Sequence, residues 1–343
     1  MSLDPAELRR RNMLKDGDLL ANGHHLEHVR ATETLEAALQ ASHWSEPKPR
    51  WVGRGVAMTH RHIGVGFTNA RVRLEAKGNV VLSTALPDTG TGAPLVLRQI
   101  VAEVLDLTLD EVEIELATTD DFTTDSGVGG SRVTHTGGRA AYHAAEKLKV
   151  EIQVEAKKLG IPADSLAAVA QAVAREGRTL ETSHFYEAKS HSAVTSFTAQ
   201  VAEVAVDPQT GQVTVRHFTT AHDVGTIINP IGHQGQIEGG LIQGLGYALM
   251  EEMKTDGGRI STLSLGDVKL PTVQDIPPLT TVLLEDSVGP GPFNAKAIGE
   301  GSISAVAPAI ANAVADACGV RILDLPITAE KVYFALRATA PRS

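Results

Sequence analysis

Residues 291–302, GPFNAKAIGEGS, join a loop rich in glycine and proline to an alanine-rich helical pattern that begins near Ser302. Apolar residues then recur at three- and four-residue spacing and predict a helix buried along one face: Ile303, Val306, Ile310, Val314 and Ala317. Glu300 precedes this helix, between two glycines that permit close approach of a large ligand. The positive end of a helix favours an ionised carboxylate, as a proton acceptor requires. An ordinary acid at a helix start has the same pattern, so this stretch alone leaves both interpretations open.

The 343 residues, 42% of them hydrophobic, suffice for one large or two medium domains. A formal net charge of -10 argues against nucleic acid or an anionic membrane as the main partner. No uninterrupted apolar run of about 18 residues and no secretory signal appear, so we expect a cytoplasmic protein. The single cysteine, Cys318, excludes an internal disulfide and a cysteine-ligated iron–sulfur cluster held by this chain alone. Thirteen histidines lack metal-ligand spacing, so we predict no metal bound directly by side chains.

The first half of the chain predicts helices and strands separated by glycine-rich loops. The predicted elements are helices at 5–13 and 33–41, strands at 55–60, 64–75, 80–85 and 111–117, and helices at 94–105, 137–159 and 164–175. Two loops, LPDTGTG (86–92) and TTDSGVGGSR (123–132), each precede a helix. Backbone N–H groups at such a helix start form an anion site, although ordinary turns have the same composition.

The second half opens with a hairpin and continues with another glycine-rich segment. The predicted elements are strands at 196–206, 212–220, 264–270 and 280–285, and helices at 235–253 and 325–333. Each glycine inside the helix GQIEGGLIQGLGY costs about 1 kcal/mol relative to alanine, so we expect its bare face to pack closely against backbone or a ligand. Gln236 and Gln243 lie two turns apart on nearly the same face, and solvated polar positions are an equal alternative. We predict an α+β molecule, with a connecting helical arm (1–50), a first lobe (51–180) and a second lobe (181–343).

Four motifs occur in one order: DVG (223–225) with NP (229–230), GQIEGGLIQGLG (235–246), AKAIGE (295–300) and LPITAEKV (325–332). These motifs stand in the same order in a known family. With them, residues 4–337 resemble the C-terminal part of the molybdenum-binding subunit of the xanthine dehydrogenase/aldehyde oxidase family of molybdenum hydroxylases. The fold implied is the two-lobed molybdenum cofactor-binding domain of that family. The activity implied is hydroxylation of an aldehyde or N-heterocycle carbon with oxygen from water.

The resemblance also implies site residues. Glu300 falls on the family's general base, and Gln236 falls on its glutamine near the oxo ligand of the metal. The implied cofactor is molybdopterin with molybdenum, expected in the cytosine dinucleotide form. The residues implied to bind it are Gly90, Thr91, Gly92, Gly129, Gly130, Ser131, Arg132, Gln236 and Gly299. Phe67 and Thr68 match a wall of the substrate pocket, but Phe67 fits a core strand position at least as well.

The sequence departs from the family pattern at several single residues and also in its length. Thr91 replaces a frequent glutamine, Gly301 and Ser302 replace frequent prolines, and Asn294 replaces a usual glycine. Family subunits also carry an N-terminal half that this chain lacks, so we expect a split subunit resembling the nicotinate dehydrogenase type, or a fragment. The resemblance then implies an N-terminal molybdopterin-binding half-subunit, an iron–sulfur subunit and an FAD subunit as partners, and a small-molecule substrate.

Two other functions compete with a catalytic half-subunit. A non-catalytic structural half would hold a multi-subunit oxidoreductase together while the chemistry takes place elsewhere. A phosphate- or nucleotide-binding domain would be built on residues 126–132. A dinucleotide-binding fingerprint, however, follows the first strand of a parallel unit and has an acidic residue about 20 positions later, and this loop does not present that context convincingly.

Overall fold

A computed structural model describes residues 3–122, 124–285 and 287–339. Thr123 of the second glycine-rich loop and residues 340–343 of the predicted second lobe lie outside this range. The strands are β1 (Val52–Arg61), β2 (Gly66–Leu74), β3 (Val80–Thr84), β4 (Val112–Leu116), β5 (Glu181–Ala188), β6 (Ser196–Val206), β7 (Val213–Asp223), β8 (Thr255–Asp256), β9 (Arg259–Ile260) and β10 (Leu279–Leu284). The helices are α1 (Pro5–Arg11), α2 (Ala31–Ala41), α3 (Ala93–Leu105), α4 (Val133–Leu159), α5 (Leu166–Arg175), α6 (Pro230–Leu249), α7 (Leu265–Val268), α8 (Gly301–Ser304), α9 (Val306–Cys318) and α10 (Ala329–Thr339).

Two four-stranded sheets organise the chain, which confirms the predicted α+β class. One sheet has the order β4-β3-β2-β5, with β3 and β4 parallel and joined by α3. The other has the order β1-β6-β7-β10, with β10 parallel to β7. The sheets do not follow the boundary predicted at residue 180, because β1 joins the later sheet and β5 joins the earlier one.

Each sheet has its own hydrophobic core. In the first, Leu82 of β3 packs with Leu97 of α3 and Leu148 of α4, all fully buried. In the second, Phe218 of β7 packs with Leu241 of α6 and Ile310 of α9. Each such side chain contributes about 1.5–3 kcal/mol by leaving water. The predicted connecting arm packs on the second sheet, where Ala6 and Leu35 are buried with Val56 and Ala199.

Helix α9 lies very close to β1 because two glycines line the strand. A Cβ atom at Gly53 or Gly55 would overlap the backbone of Ala313, so a larger residue would force helix and strand apart. The span Gly301–Cys318 has the length and apolar composition of a membrane-crossing helix. Half of this span is buried within the fold, however, as in the core helix of a globular domain.

Three sequence predictions need correction. The helix predicted from Ser302 is broken at Ala305, because Pro308 has no N–H to donate to the carbonyl of Ser304. The strand predicted at 264–270 is wrong, since residues 265–268 form the short helix α7, which Ser264 caps by accepting a hydrogen bond from the Asp267 N–H. Strand β5 was not predicted, because this edge strand has mostly polar or exposed residues and shows no apolar alternation.

Candidate active site

A cavity of about 400 Å³ lies where the N-terminal ends of three long helices meet. This volume falls in the range of ligand pockets, roughly 300–1,000 Å³. Residues from the first two turns of α3, α4 and α6 line it: Ala93, Val96, Val133, Thr134, Gly232, His233 and Gln236. The N-terminal end of a helix carries partial positive charge, because the peptide dipoles align and the first N–H groups have no partner within the helix. The cavity is therefore suited to a polyanionic ligand.

The first glycine-rich loop leads from β3 into α3. The Asp88 carboxylate oxygen Oδ1 accepts hydrogen bonds from the N–H groups of Gly90, at 2.9 Å, and Gly92, at 3.2 Å. Both glycines have left-handed backbone angles, with φ of 95° and 71°, and face open space where a side chain would be. Thr91 between them lines the cavity. Gly90 and Gly92, predicted to bind the cofactor, are not among the residues that line the cavity, and their N–H groups are occupied by Asp88 in this structure.

The second glycine-rich loop contributes Gly129, Gly130, Ser131 and Arg132 to the cavity wall. The Gly130 carbonyl accepts a hydrogen bond of 3.0 Å from the N–H of Gly64, and a Cβ atom at Gly64 would collide with that carbonyl. The Arg132 guanidinium donates to two carbonyls of its own loop and to that of Val65. In this structure Arg132 therefore fixes the loop, and its charge is partly engaged before any ligand binds.

Glu300 lies at the rim of the cavity, beside Ser131. The Ser131 hydroxyl donates to Glu300 Oε2 at 2.7 Å and accepts from the Glu300 N–H at 3.1 Å. The Arg61 guanidinium also donates to Oε2, at 2.6 Å from Nη2 and 3.2 Å from Nε. Burial raises the pKa of Glu300, but the hydrogen bond from Ser131 and then the contacts with Arg61 outweigh it and leave the pKa below its ordinary value. Glu300 is thus held as a carboxylate.

Arg61 is a site residue that the sequence reasoning missed. It ends β1 and pairs with Ser196 of β6 across the sheet. It is separated from Glu300 by 239 positions. No local spacing signals such a contact, and only the pairing of β1 with the later sheet brings the two residues together.

Helix α6 brings Gln236 to the cavity, whereas Gln243 is exposed away from it. Asn229 caps the helix, its side chain accepting a 3.0 Å hydrogen bond from the Gly232 N–H. Burial lowers the pKa of His233, another lining residue, to about 4, so the imidazole is neutral. Further along, Gly244 packs directly on the Val306 side chain, whereas the sequence predicted that the bare face of this helix would meet backbone or a ligand.

A fully buried ion pair supports the segment that carries Glu300. Lys296 Nζ donates to Asp223 Oδ2 at 2.6 Å, and both side chains have no exposed surface. Ser287 donates to the other oxygen of Asp223 at 2.7 Å. Ser196 donates to the Ala297 carbonyl at 2.6 Å. The backbone before Glu300 is therefore anchored to the ends of β6 and β7.

Phe67 and Thr68, predicted for the substrate pocket, are not among the residues that line this cavity. Thr68 is buried and its hydroxyl donates to that of Thr136 at 3.2 Å. The Phe67 ring lies half-buried on β2, 5.9 Å from the ring of Phe185. Gly299 does line the cavity, next to Glu300. Across the described ranges, no group of three or more His, Cys, Asp or Glu side chains is arranged to hold a metal ion.

Comparisons with known proteins identify the family. A family model described as molybdopterin cofactor-binding domain matches residues 27–277. The chain is 32% identical over 332 residues to "Probable hypoxanthine oxidase XdhD" of Escherichia coli (strain K12), covering 89% of this chain and 35% of the relative. It is 32% identical over 298 residues to the aldehyde oxidoreductase molybdenum-binding subunit PaoC of the same organism, covering 82% and 40%.

Solved structures agree with this match at the level of the fold. The structure of reconstituted CO dehydrogenase from Oligotropha carboxidovorans superposes with a TM-score of 0.86 at 23% identity, over 98% of this chain and 49% of that one. The chain spans 35% and 40% of the lengths of the two curated relatives. The resemblance read from the four motifs is confirmed, and the chain belongs to the molybdopterin cofactor-binding domain family of xanthine dehydrogenase and aldehyde oxidoreductase subunits.

Proposed function

We propose that this chain forms one wall of the molybdopterin site of a molybdenum hydroxylase and supplies Glu300 as its general base. The observation that carries this proposal is the convergence of three helix N-termini and two glycine-rich loops on one cavity whose rim holds an ionised carboxylate. The reaction class is hydroxylation of an aldehyde or N-heterocycle carbon with oxygen from water.

The residues present fit a phosphate-bearing pterin. Gly90 and Gly92 leave open space where side chains would be, and the ends of α3, α4 and α6 favour negative charge. We infer that Gly90, Thr91, Gly92, Gly129, Gly130, Ser131, Arg132, Gln236 and Gly299 hold the cofactor, in its cytosine dinucleotide form. When bound, the molybdenum centre supplies the oxidation of the substrate carbon. In this proposal the pterin would carry the molybdenum.

Glu300 would take up the proton that the water-derived oxygen loses as the new carbon–oxygen bond forms. Its carboxylate is ionised, half-exposed and fixed at Oε2 by Ser131 and Arg61. A base in this state is ready at neutral pH, and a correctly placed general base contributes about 10²–10⁴ in rate.

The rest of the active site would come from other chains or from another part of a longer chain. This chain spans less than half the length of the curated relatives named above. We infer an N-terminal molybdopterin-binding half that completes the pocket. Since electrons must leave the molybdenum, we also infer an iron–sulfur subunit and an FAD subunit.

Replacement of Glu300 by glutamine in the holoenzyme tests this function. We expect Glu300→Gln to lower kcat by about 10²–10⁴ while the molybdenum and pterin contents remain those of the parent. Glu252→Gln, at an exposed acid outside the cavity lining, serves as the control and should change neither quantity. Unchanged turnover of Glu300→Gln would instead support a structural half-subunit.

A further inference from the structure

Among the residues that the structure describes, the three side-chain hydrogen bonds to the Glu300 carboxylate all end on a single oxygen. Ser131 Oγ, Arg61 Nη2 and Arg61 Nε donate to Oε2, at 2.7, 2.6 and 3.2 Å. Two donors of one guanidinium and one hydroxyl that converge on the same oxygen fix the position of that oxygen. The arrangement therefore distinguishes Oε2, which is held, from Oε1.

We propose that Arg61 is a positioning residue for Glu300: it clamps Oε2 in the ionised form and leaves Oε1 as the atom that accepts the proton. This inference rests on the proposed function, in which Glu300 is the general base. Arg61 itself is not among the residues that line the cavity, and it acts only through Glu300.

A second contact keeps the Arg61 guanidinium in place. Arg61 Nη1 donates to His62 Nε2 at 3.0 Å, which requires a neutral imidazole with that nitrogen free to accept. Burial, followed by the neighbouring His191, Arg61 and His60, lowers the pKa of His62. The His62 ring lies edge-on to that of His191, with centroids 4.1 Å apart. The guanidinium is thus held between a neutral imidazole and the Glu300 carboxylate.

The charge balance at Glu300 shows what removal of Arg61 would do. The groups that act on Glu300 are Ser131 and Arg61, which contact it, and His62, which lies nearby. Burial alone raises the pKa of Glu300. Without the guanidinium, only the hydrogen bond from Ser131 would be left to oppose that burial, so the carboxylate would take up a proton at higher pH.

The test compares Arg61→Gln with Arg61→Lys in the cofactor-loaded holoenzyme. We expect Arg61→Gln to move the acid limb of the kcat/KM profile to higher pH, with a roughly tenfold loss at the acid end and a much smaller loss at alkaline pH. Arg61→Lys keeps a positive charge and should restore most of the acid-end activity. Arg73→Gln breaks a comparable pair with Glu75 (2.7 Å) on β2 and should leave the profile unchanged. An equal loss of kcat/KM at every pH in Arg61→Gln would overturn the proposal, because it would indicate a structural role.

Infrared titration gives a readout without turnover. The carboxylate band of Glu300 is obtained as the difference between a protein and its Glu300→Gln counterpart, with and without Arg61→Gln. We expect the band to titrate at higher pH when Arg61 is absent, and identical titrations would refute the clamp. If the band shifts but Glu300→Gln keeps full turnover, the clamp is real and the assignment of Glu300 as base is what fails.

Discussion

His222 is a fully buried imidazole next to the ion pair that supports the Glu300 segment. Hydrogen bonds of 3.1 and 2.7 Å join its Nδ1 and Nε2 to the hydroxyls of Thr198 and Thr220. Burial, with a small contribution from His233, lowers the pKa of His222 to about 3. The side chain is therefore neutral in the folded protein over most of the acid range.

This neutral histidine predicts a stability that depends on pH. The unfolded chain binds a proton at His222 near pH 6.5, whereas the folded chain does so only near pH 3. Its contribution is complete above about pH 6.5 and is lost as the pH falls towards about 3. We expect His222→Gln to lose less unfolding free energy than the parent between neutral pH and about pH 4 in urea titrations.

The exposed His24→Gln variant is the matched control and should follow the parent. His233 titrates in the same direction and is present in all three proteins, so their differences isolate His222. Parallel stability curves for parent and His222→Gln would contradict the assignment of a buried neutral imidazole.

At the scale of elements, the Lys296–Asp223 pair joins the end of β7 to the segment before Glu300. Burial lowers the pKa of Lys296, and Asp223 opposes this effect. Removal of one partner leaves the other charge buried without compensation. We therefore expect Asp223→Asn to lower the unfolding free energy by about 3–5 kcal/mol, measured by urea denaturation.

A double variant measures how much of the cost comes from the interaction between the two charges. Asp223→Leu with Lys296→Met removes both charges, so its cost should be smaller than the sum of the two single changes. Additive costs would show that the two side chains stabilise the fold independently of each other.

Replacement of a glycine of α6 by alanine should have opposite effects on stability at the packed face and at the open face of the helix. A Cβ atom at Gly244 would lie 2.6 Å from Cβ of Val306, so Gly244→Ala should destabilise by about 1–3 kcal/mol. A Cβ atom at Gly239 would meet nothing within 4 Å, so Gly239→Ala should stabilise the helix by up to about 1 kcal/mol. Thermal unfolding of the isolated chain measures both, and equal effects would show that α6 does not pack as described.

The sequence predicted what local patterns encode. Apolar periodicity located α3, α4 and the β6–β7 hairpin, and glycine-rich composition located the loops that line the cavity. Local patterns do not report which strands pair. The pairing of β1 with the later sheet and of β5 with the earlier sheet was therefore not predicted. The contact of Arg61 with Glu300 depends on that pairing of β1, which is why no spacing in the sequence revealed it.

At the scale of the whole molecule, the segment from residue 251 to 276 contains no buried residue. It exposes large apolar side chains at 41% to 85% of their surface: Met253, Ile260, Leu263, Leu265, Leu270, Val273 and Ile276. Its backbone is nonetheless ordered by the β8–β9 pair and by α7. Exposed apolar surface of this kind is typical of contact regions.

We therefore expect the isolated chain to associate through this segment. Leu263→Ser, Leu265→Ser and Val273→Ser together should reduce concentration-dependent association in sedimentation experiments and change the unfolding free energy little, because these side chains are exposed. Val150→Ser with Val154→Ser, at exposed apolar positions on α4, is the control. Association unaffected by the triple change but reduced in the control would place the contact on α4.

The most direct test of the central claim is purification of the native protein from its source, with metal analysis and mass spectrometry of the cofactor and of every chain that co-purifies. We predict molybdenum and a pterin, together with a second large molybdopterin-binding chain or segment and with iron–sulfur and flavin subunits. A lone, monomeric chain without molybdenum or pterin would contradict the account.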